Sequence, residues 1–508
     1  MSDDEGRTRS VEVLVVGAGV AGICAAITLD RIGISDYVII DRAAEFGGTW
    51  YANTYPGLAC DIPSQVYSYS FAPHREWSRV FAPGPEIQQY LLGVVERYGL
   101  RAHAELGTEL TGLTWDDTEA RWTAATSRGT YRARWVIVGT GVLEDPRVPD
   151  IPGLTEFPGR VFHSARWPRD PADADLTGRR VAVLGTGASS VQIVPEIQPV
   201  VDSLTVFQRT PAWVVPKLDV VHSRAFRALA RRFGWVGRAL RGMEWVGVEA
   251  FLASLYSRRV SRAVSLGGRF NIRRSISDPA LRRALTPDYV LGCKRALLSN
   301  TYYRALAASN CELVASGVAS VDGSSVVAAD GTTREVDTIV LATGFHFVDP
   351  PVYGLIRRRD GRTVAQHWDG RPEAYKGTAI AGCPNLFTIS GPNGSTASVF
   401  AGIEATCGYV GEALRTARER RLRTLEVRPE AAREWKAAAN RHLAGTMHSQ
   451  GGCTNQYTDR DNNNVTLFPS TMTGMGVALR EFDPSAYDEQ VWPNETEPVA
   501  EAAPAVEA

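Results

Sequence analysis

No stretch of about 18 uncharged apolar residues occurs in this 508-residue chain, which excludes a helical membrane span and stable membrane insertion. Excess charge of either sign is also missing. Lys+Arg number 55 against Asp+Glu 56, a formal net charge of -1, so the whole molecule carries no attraction for nucleic acid, and none is expected as a partner. Paired cysteines are lacking as well. The seven cysteines (Cys24, Cys60, Cys293, Cys311, Cys383, Cys407, Cys453) are odd in number and far apart, with no C-x-x-C, and read as reduced thiols of a cytoplasmic protein. Met1 to Ser10 is acidic and polar without an apolar core, so a disordered, non-exported N-terminus is expected. The eight histidines show no H-x-H or H-x-x-x-H spacing, and no metal site is expected.

What is present is an ordinary globular composition, 44% hydrophobic and 22% charged, with length for two to four domains. Residues 11–16 form a β-branched run, followed by a Gly-rich turn, a helical segment from Ala21 to Leu29 and a second strand at Tyr37 to Asp41. This βαβ pattern recurs once, with a strand at Arg180 to Leu184, a turn at Gly185 to Gly187, a helix at Ala188 to Ile197 and a strand at Leu204 to Phe207. Two further strands, Trp135 to Val138 and Val336 to Leu341, each run into a small-Thr-Gly turn. The expected class is α/β, with two Rossmann-like dinucleotide-binding domains, the second inserted into the first. The first would comprise 11–160 and 336–480, the second 161–335 with a helical sub-insertion at 222–290, and 489–508 would be a disordered tail.

Gly17-Ala18-Gly19-Val20-Ala21-Gly22 is G-x-G-x-x-G between strand and helix, and Asp41 ends the next strand. Gly17 permits the tight turn, Gly19 admits a pyrophosphate to the helix N-terminus, Gly22 lets helix and strand pack, and Asp41 can accept from a ribose hydroxyl. A carboxylate there repels a 2′-phosphate, which favours FAD or NAD. In the second motif, Gly185-Thr186-Gly187-Ala188-Ser189-Ser190, Ser190 replaces the usual third glycine, and its hydroxyl can face a phosphate. Arg209, followed by Thr210, stands where the first motif has its acid, and a guanidinium favours the extra phosphate of NADPH. One acid-ended and one Arg-ended fold together indicate FAD plus NADPH.

Phe157-x-Gly159-x-x-x-His163-x-x-x-Trp167-Pro168 and the segment Gly48-x-Trp50 through Tyr55-Pro56-Gly57 to Asp61 carry a family resemblance. With both dinucleotide motifs and Asp337 to Phe345, the chain from about 11 to 480 resembles the type I Baeyer–Villiger monooxygenases of the flavin-containing monooxygenase superfamily; N- and S-oxygenating relatives usually have Tyr or Phe where Trp167 stands. The resemblance implies that NADPH reduces FAD, that O2 adds at the flavin C4a carbon, and that the resulting peroxide attacks a ketone to give an ester or lactone. It places Asp61 and Arg295 at the active site, with Lys294 helping to bind the 2′-phosphate and His163 acting indirectly between domains. The residue types suit that chemistry, because a permanent guanidinium stabilises both a peroxyanion and the oxyanion formed on the ketone. Asn455-Gln456-Tyr457 departs from the Ser-Trp-Tyr of many relatives, and Gln456 in place of Trp implies a more polar pocket.

From His222 to Arg283, 14 arginines stand against only Glu244, Glu249 and Asp278, a local net of +11. The apolar residues Phe226, Leu229, Phe233, Val236, Leu240, Trp245, Phe251, Leu252 and Leu255 recur at helical spacing, so a pocket-forming helical subdomain with a solvated Arg face is expected. The alternative function is an N- or S-oxygenating flavin-containing monooxygenase. A disulfide reductase lacks its cysteine pair beside Cys60. A non-catalytic flavin scaffold recruiting acidic partners through the arginines is the remaining possibility.

Overall fold

The computed structural model describes residues 8–254 and 256–492; Met1 to Arg7, Leu255 and residues 493–508 lie outside it. Two separate sheets form around the two motifs. In the first, Thr8–Val16 lies between Tyr37–Asp41 and Gly129–Val138, parallel to both, and Leu386–Thr388 also pairs with Gly129–Val138. An antiparallel meander through Leu110–Asp116 and Arg121–Thr126 extends it on one side. The second is a five-stranded parallel sheet in the order Cys311–Val314, Ser203–Phe207, Arg180–Leu184, Thr338–Leu341, Arg160–His163. Its central strands are apolar on both faces, as a parallel sheet covered by helices requires.

The helices Val20–Arg31 and Val399–Glu419 cross over the first sheet at a glycine. A Cβ on Gly411 would come within 2.8 Å of Thr28 Cγ2, so the small residue sets how closely they approach. Ile23 and Phe400 of these helices and Trp135 and Phe387 of the strands belong to one buried cluster. Burying large apolar side chains at about 25 cal/mol per Å2 is what holds such a cluster together.

Several expected boundaries move. The first strand begins at Thr8, inside the segment expected to be disordered, because it continues its parallel pairing with Gly129–Val138 out to Thr130. Tyr487–Val491 pairs antiparallel with Leu422–Val427, so the expected disorder from 489 is corrected for Glu489 to Val491, while the rest of that tail falls outside the described residues from 493. Thr338–Leu341 belongs to the second sheet, where it sits between Arg180–Leu184 and Arg160–His163, so the chain leaves that sheet after Leu341 and not at 336.

The segment 222–290 folds into the helices Arg224–Arg232, Gly234–Ser254, Arg258–Ser275 and Pro279–Leu285. Its expected apolar stripe splits between two faces. Trp245 and Leu252 pack inward, whereas Leu229, Phe233 and Phe251 are exposed; Leu255 is the one member outside the described residues. The inner face of Gly234–Ser254 holds the loop after Asp61: Arg241 donates to the Gln65 carbonyl, and Glu244 accepts from Gln65 N at 2.9 Å.

Candidate active site

Each Gly-rich motif builds a cradle at a helix N-terminus. Gly17 has φ +109°, and a Cβ there would lie 2.6 Å from Gly139 O; a Cβ on Gly22 would lie 1.7 Å from Gly17 O. These positions accept only glycine, as the spacing predicts. Gly19 caps the helix Val20–Arg31 without any side-chain cap, and its Cα faces Gly48, whose φ is +54°. First-turn N–H groups without a side-chain cap, between two glycines, fit a pyrophosphate. Asp41 is further occupied: its carboxylate accepts from Ala18 N at 2.6 Å, bracing the glycine turn with one oxygen, and from Ala43 N at 2.7 Å with the other. Trp50 is buried with its edge against Tyr67.

In the second cradle Gly185 has φ +111° and its Cβ position lies 2.5 Å from Ala342 O, while Gly187 caps Ala188–Ile197 with nothing within 4 Å of its Cβ position. Ser189 is exposed. Ser190 is not at the phosphate position expected of it, because one helical step turns it fully into the core, where it faces Tyr302. Arg209 is exposed just beyond the strand Ser203–Phe207, its stem beside Gly317, and the carbonyl of Thr210 accepts from Thr186 Oγ1 at 3.0 Å. The fold brings Lys294 towards Arg209: burial lowers the Lys294 ammonium and the Arg209 charge lowers it further. Among the described residues neither cation is within salt-bridge distance of a carboxylate. Two such neighbours fit a phosphate dianion.

Between the cradles stands the pair expected to be catalytic. Arg295 donates through Nε to Asp61 Oδ2 at 2.7 Å and through Nη2 to Oδ1 at 2.6 Å, a two-pronged contact. The Arg295 side chain remains 45% accessible, so the fork is held on one edge and free on the other. Burial raises the Asp61 carboxyl, but the facing guanidinium outweighs it and holds the acid below its ordinary range; Asp61 in turn raises Arg295. The loop before Asp61 also joins the two units, with Tyr55 donating to Gln192 Oε1 at 3.0 Å and Gln192 donating to Ala59 O at 2.9 Å.

A disulfide that the sequence did not reveal anchors this corner. Cys293 is bonded to Cys453 across 160 residues, which corrects the expectation of seven reduced thiols; the other five are free. The two cysteines lie in loops that also share a backbone bond, Val290 N to Gly451 O at 3.1 Å. The clamp presents Tyr457 to Arg295, whose charge draws the buried phenol down against the stronger upward effect of desolvation. Asn455 fixes the loop by donating to His448 O at 2.7 Å and accepting from Tyr457 N at 2.9 Å. Gln456, beside them, is exposed.

The fingerprint residues wrap the edge of the second sheet. Phe157 is buried, a Cβ on Gly159 would lie 2.3 Å from Asp337 O, and Trp167, next to Pro168, is buried edge-on to Phe162. His163 ends its strand with Nδ1 accepting from Ala165 N at 3.1 Å and its ring against Phe345; Nε2 is buried without a partner. Burial pushes it down to about 4. The unfolded value is about 6.5, so the unfolded chain takes up the proton first, and stability is lost as pH falls through this window at up to about 1.4 kcal/mol per pH unit. Glu244 runs the other way, since burial raises its carboxyl to about 7. Denaturant unfolding at pH 7 and pH 5 should therefore show a smaller stability loss, or a gain, in His163→Gln relative to the wild type; identical pH differences would show the ring to be solvated.

Two sheet units, one mixed and one parallel, each with a glycine cradle, together with the Asp–Arg pair define a two-dinucleotide oxidoreductase. A family model described as pyridine nucleotide-disulphide oxidoreductase matches residues 14–223. A Baeyer-Villiger monooxygenase of Streptomyces coelicolor is 45% identical over 492 residues, covering 96% of this chain and 94% of that protein. One from Pseudomonas aeruginosa is 41% identical over 508 residues, covering 98% and 96%. Cyclohexanone monooxygenase of Rhodococcus sp. Phi1, solved bound to NADP+, superposes with a TM-score of 0.84 at 28% identity, covering 96% of this chain and all of that one. The chain belongs to the Baeyer–Villiger monooxygenase family. The disulfide-reductase alternative finds no support at Cys60, which is a buried free thiol.

Proposed function

We propose that this monooxygenase holds FAD in the first cradle and NADPH in the second, and inserts one atom of O2 beside a ketone carbonyl to give an ester or lactone. The observation that carries the reading is the two-pronged Arg295–Asp61 contact, with the Arg295 side chain still 45% accessible. The glycine cradles fit the cofactors: Gly17 and Gly22 set the tight turn that leaves Gly19 and Gly48 facing the space for a pyrophosphate, and Gly185 sets the turn that leaves Gly187, followed by Ser189, open in the second unit. Asp41 retains lone pairs for a ribose hydroxyl, and Trp50 closes the wall behind. The flavin, when bound, accepts hydride and activates O2. Arg295 stabilises the negative charge that builds on the ketone oxygen, and a fixed donor at such a position is worth about a hundred- to a thousandfold in rate. Asp61 orients the fork and leaves one edge of it for substrate.

The domain assignment follows the cradles: the first sheet is the FAD unit, the second the NADPH unit, and the 222–290 helices roof the site. A cytoplasmic location remains part of the proposal, supported by five free thiols, although the Cys293–Cys453 bond is of a kind rare in a reducing compartment. Arg209, Thr210 and Lys294 select NADPH over NADH. Losing one charge-assisted contact costs about 1.5–3 kcal/mol, so Arg209→Ala should weaken NADPH about ten- to a hundredfold. NADH should be little changed, and equal losses for both coenzymes in titrations would make Arg209 structural. The activity itself is tested by presenting ketones, sulfides and amines to the holoenzyme: ketones should stimulate NADPH consumption, and stimulation by sulfides or amines alone would favour heteroatom oxygenation.

A further inference from the structure

The outward faces of the helices Gly234–Ser254 and Arg258–Ser275 have no partner in the described chain, and the roof they form does not explain their composition. On Arg258–Ser275, Leu266 and Phe270 stand 62% and 58% exposed, one turn apart. At about 100° per residue, Arg258, Arg262, Arg269 and Arg273 fall on one flank of this ridge, Arg259 on its line and Arg274 on the other flank. The helix contains no acid. Its opposite face, including Ser261, Ser265, Gly268 and Ile272, is buried, which fixes the rotation. On Gly234–Ser254, Trp235, Met243 and Val246 are 62%, 71% and 67% exposed and share one arc, with the exposed Arg238 on its flank. Leu252 of one helix and Val264 of the other pack on the same buried cluster around Trp213, so the two helices are parts of one body.

The three acids of the segment are all engaged with backbone N–H groups: Glu244 accepts from Gln65, Glu249 from Thr473, and Asp278 from Ala280 and Leu281. Arg231 pairs with Glu76 at 3.6 Å, but among the described residues none of the arginines of Arg258–Ser275 is within salt-bridge distance of a carboxylate. We propose that this face docks the enzyme peripherally on an anionic lipid surface, with Trp235, Met243, Val246, Leu266 and Phe270 entering the headgroup boundary and the arginines of Arg258–Ser275 pairing with lipid phosphates. Large apolar side chains flanked by arginines on one helical face have the chemistry of an interfacial helix. A second copy of the chain is a poorer fit, because a two-fold contact would set the arginine row against itself. Docking does not depend on the catalytic reading.

The test uses the FAD-loaded full chain with vesicles of phosphatidylcholine alone and with phosphatidylglycerol added. Binding is expected only with the anionic lipid and to fall steeply when salt is raised, since surface charge acts within a Debye length. Each arginine near the surface is worth about 1 kcal/mol, or about fivefold, so Arg262→Gln with Arg269→Gln should lower partitioning about 25-fold. Leu266→Ser with Phe270→Ser should release the protein independently of charge, with flavin content unchanged. Absence of binding, equal binding to neutral vesicles, or binding indifferent to both double variants would overturn the proposal. Binding to polyglutamate without vesicle binding would assign the face to an acidic protein instead, and a dimer dissociated by the Leu266/Phe270 variant would assign it to self-association.

Discussion

Arg295→Ala is expected to be reduced by NADPH yet to form essentially no ester. The guanidinium meets Asp61 through two hydrogen bonds and keeps its other edge accessible, so its removal deletes the only permanent cation facing that carboxylate at hydrogen-bond distance among the described residues. The rate of oxygen insertion should fall by about a hundredfold or more, the loss typical of a missing oxyanion donor. Asp61 then also loses the charge that holds its carboxyl low, so its ionised form becomes costlier. Arg295→Lys should recover little, because a point charge does not reproduce the fork. A single-turnover experiment separates the steps: the variant is reduced without oxygen, then mixed with aerated buffer and ketone. Reduction retained with ester lost supports the assigned role, whereas undiminished ester removes Arg295 from the chemistry.

The two cradles should fail separately. Gly19→Val is expected to yield protein without FAD, since its side chain would stand where a pyrophosphate meets the first-turn N–H groups. Charge-assisted bonds of about 1.5–3 kcal/mol each are at stake, so losing two costs at least about a hundredfold in affinity. Its Cβ would also approach Gly48 Cα at 3.3 Å, a contact the loop must relax to accept. Gly187→Val is the cleaner case, because nothing lies within 4 Å of its Cβ and its φ of -79° suits any residue. It should keep FAD, measured as flavin absorbance per protein, and lose NADPH binding. Loss of FAD from Gly187→Val, or its retention in Gly19→Val, would show the cradles to be assigned wrongly.

Much of this site was legible in the sequence because glycine spacing reports backbone geometry directly. Gly17 and Gly185 have positive φ where the motifs require it, and Gly22 packs where a side chain cannot go. Arg295 was legible only through resemblance to a family, since nothing local distinguishes Cys293-Lys294-Arg295 from a surface turn. The Cys293–Cys453 bond was invisible for the same reason: pairing across 160 residues depends on tertiary approach, which no spacing rule encodes. Ser190 shows the limit of motif transfer. Its hydroxyl is suited to a phosphate, but helix phase buries it against Tyr302. In the 222–290 helices, periodicity identified amphipathic elements without revealing that apolar residues occupy both faces, because a stripe facing the core and a stripe facing outward have the same period.

The central claim is that this chain uses NADPH to insert one oxygen atom from O2 next to a ketone carbonyl. The most direct measurement is turnover of a ketone that stimulates NADPH consumption, run under isotopically heavy O2, with the product analysed by mass. The expected product is an ester or lactone carrying one heavy oxygen, formed in proportion to NADPH consumed. Unlabelled product, or NADPH consumed with every ketone returned unchanged while a sulfide or amine is oxidised, would contradict it.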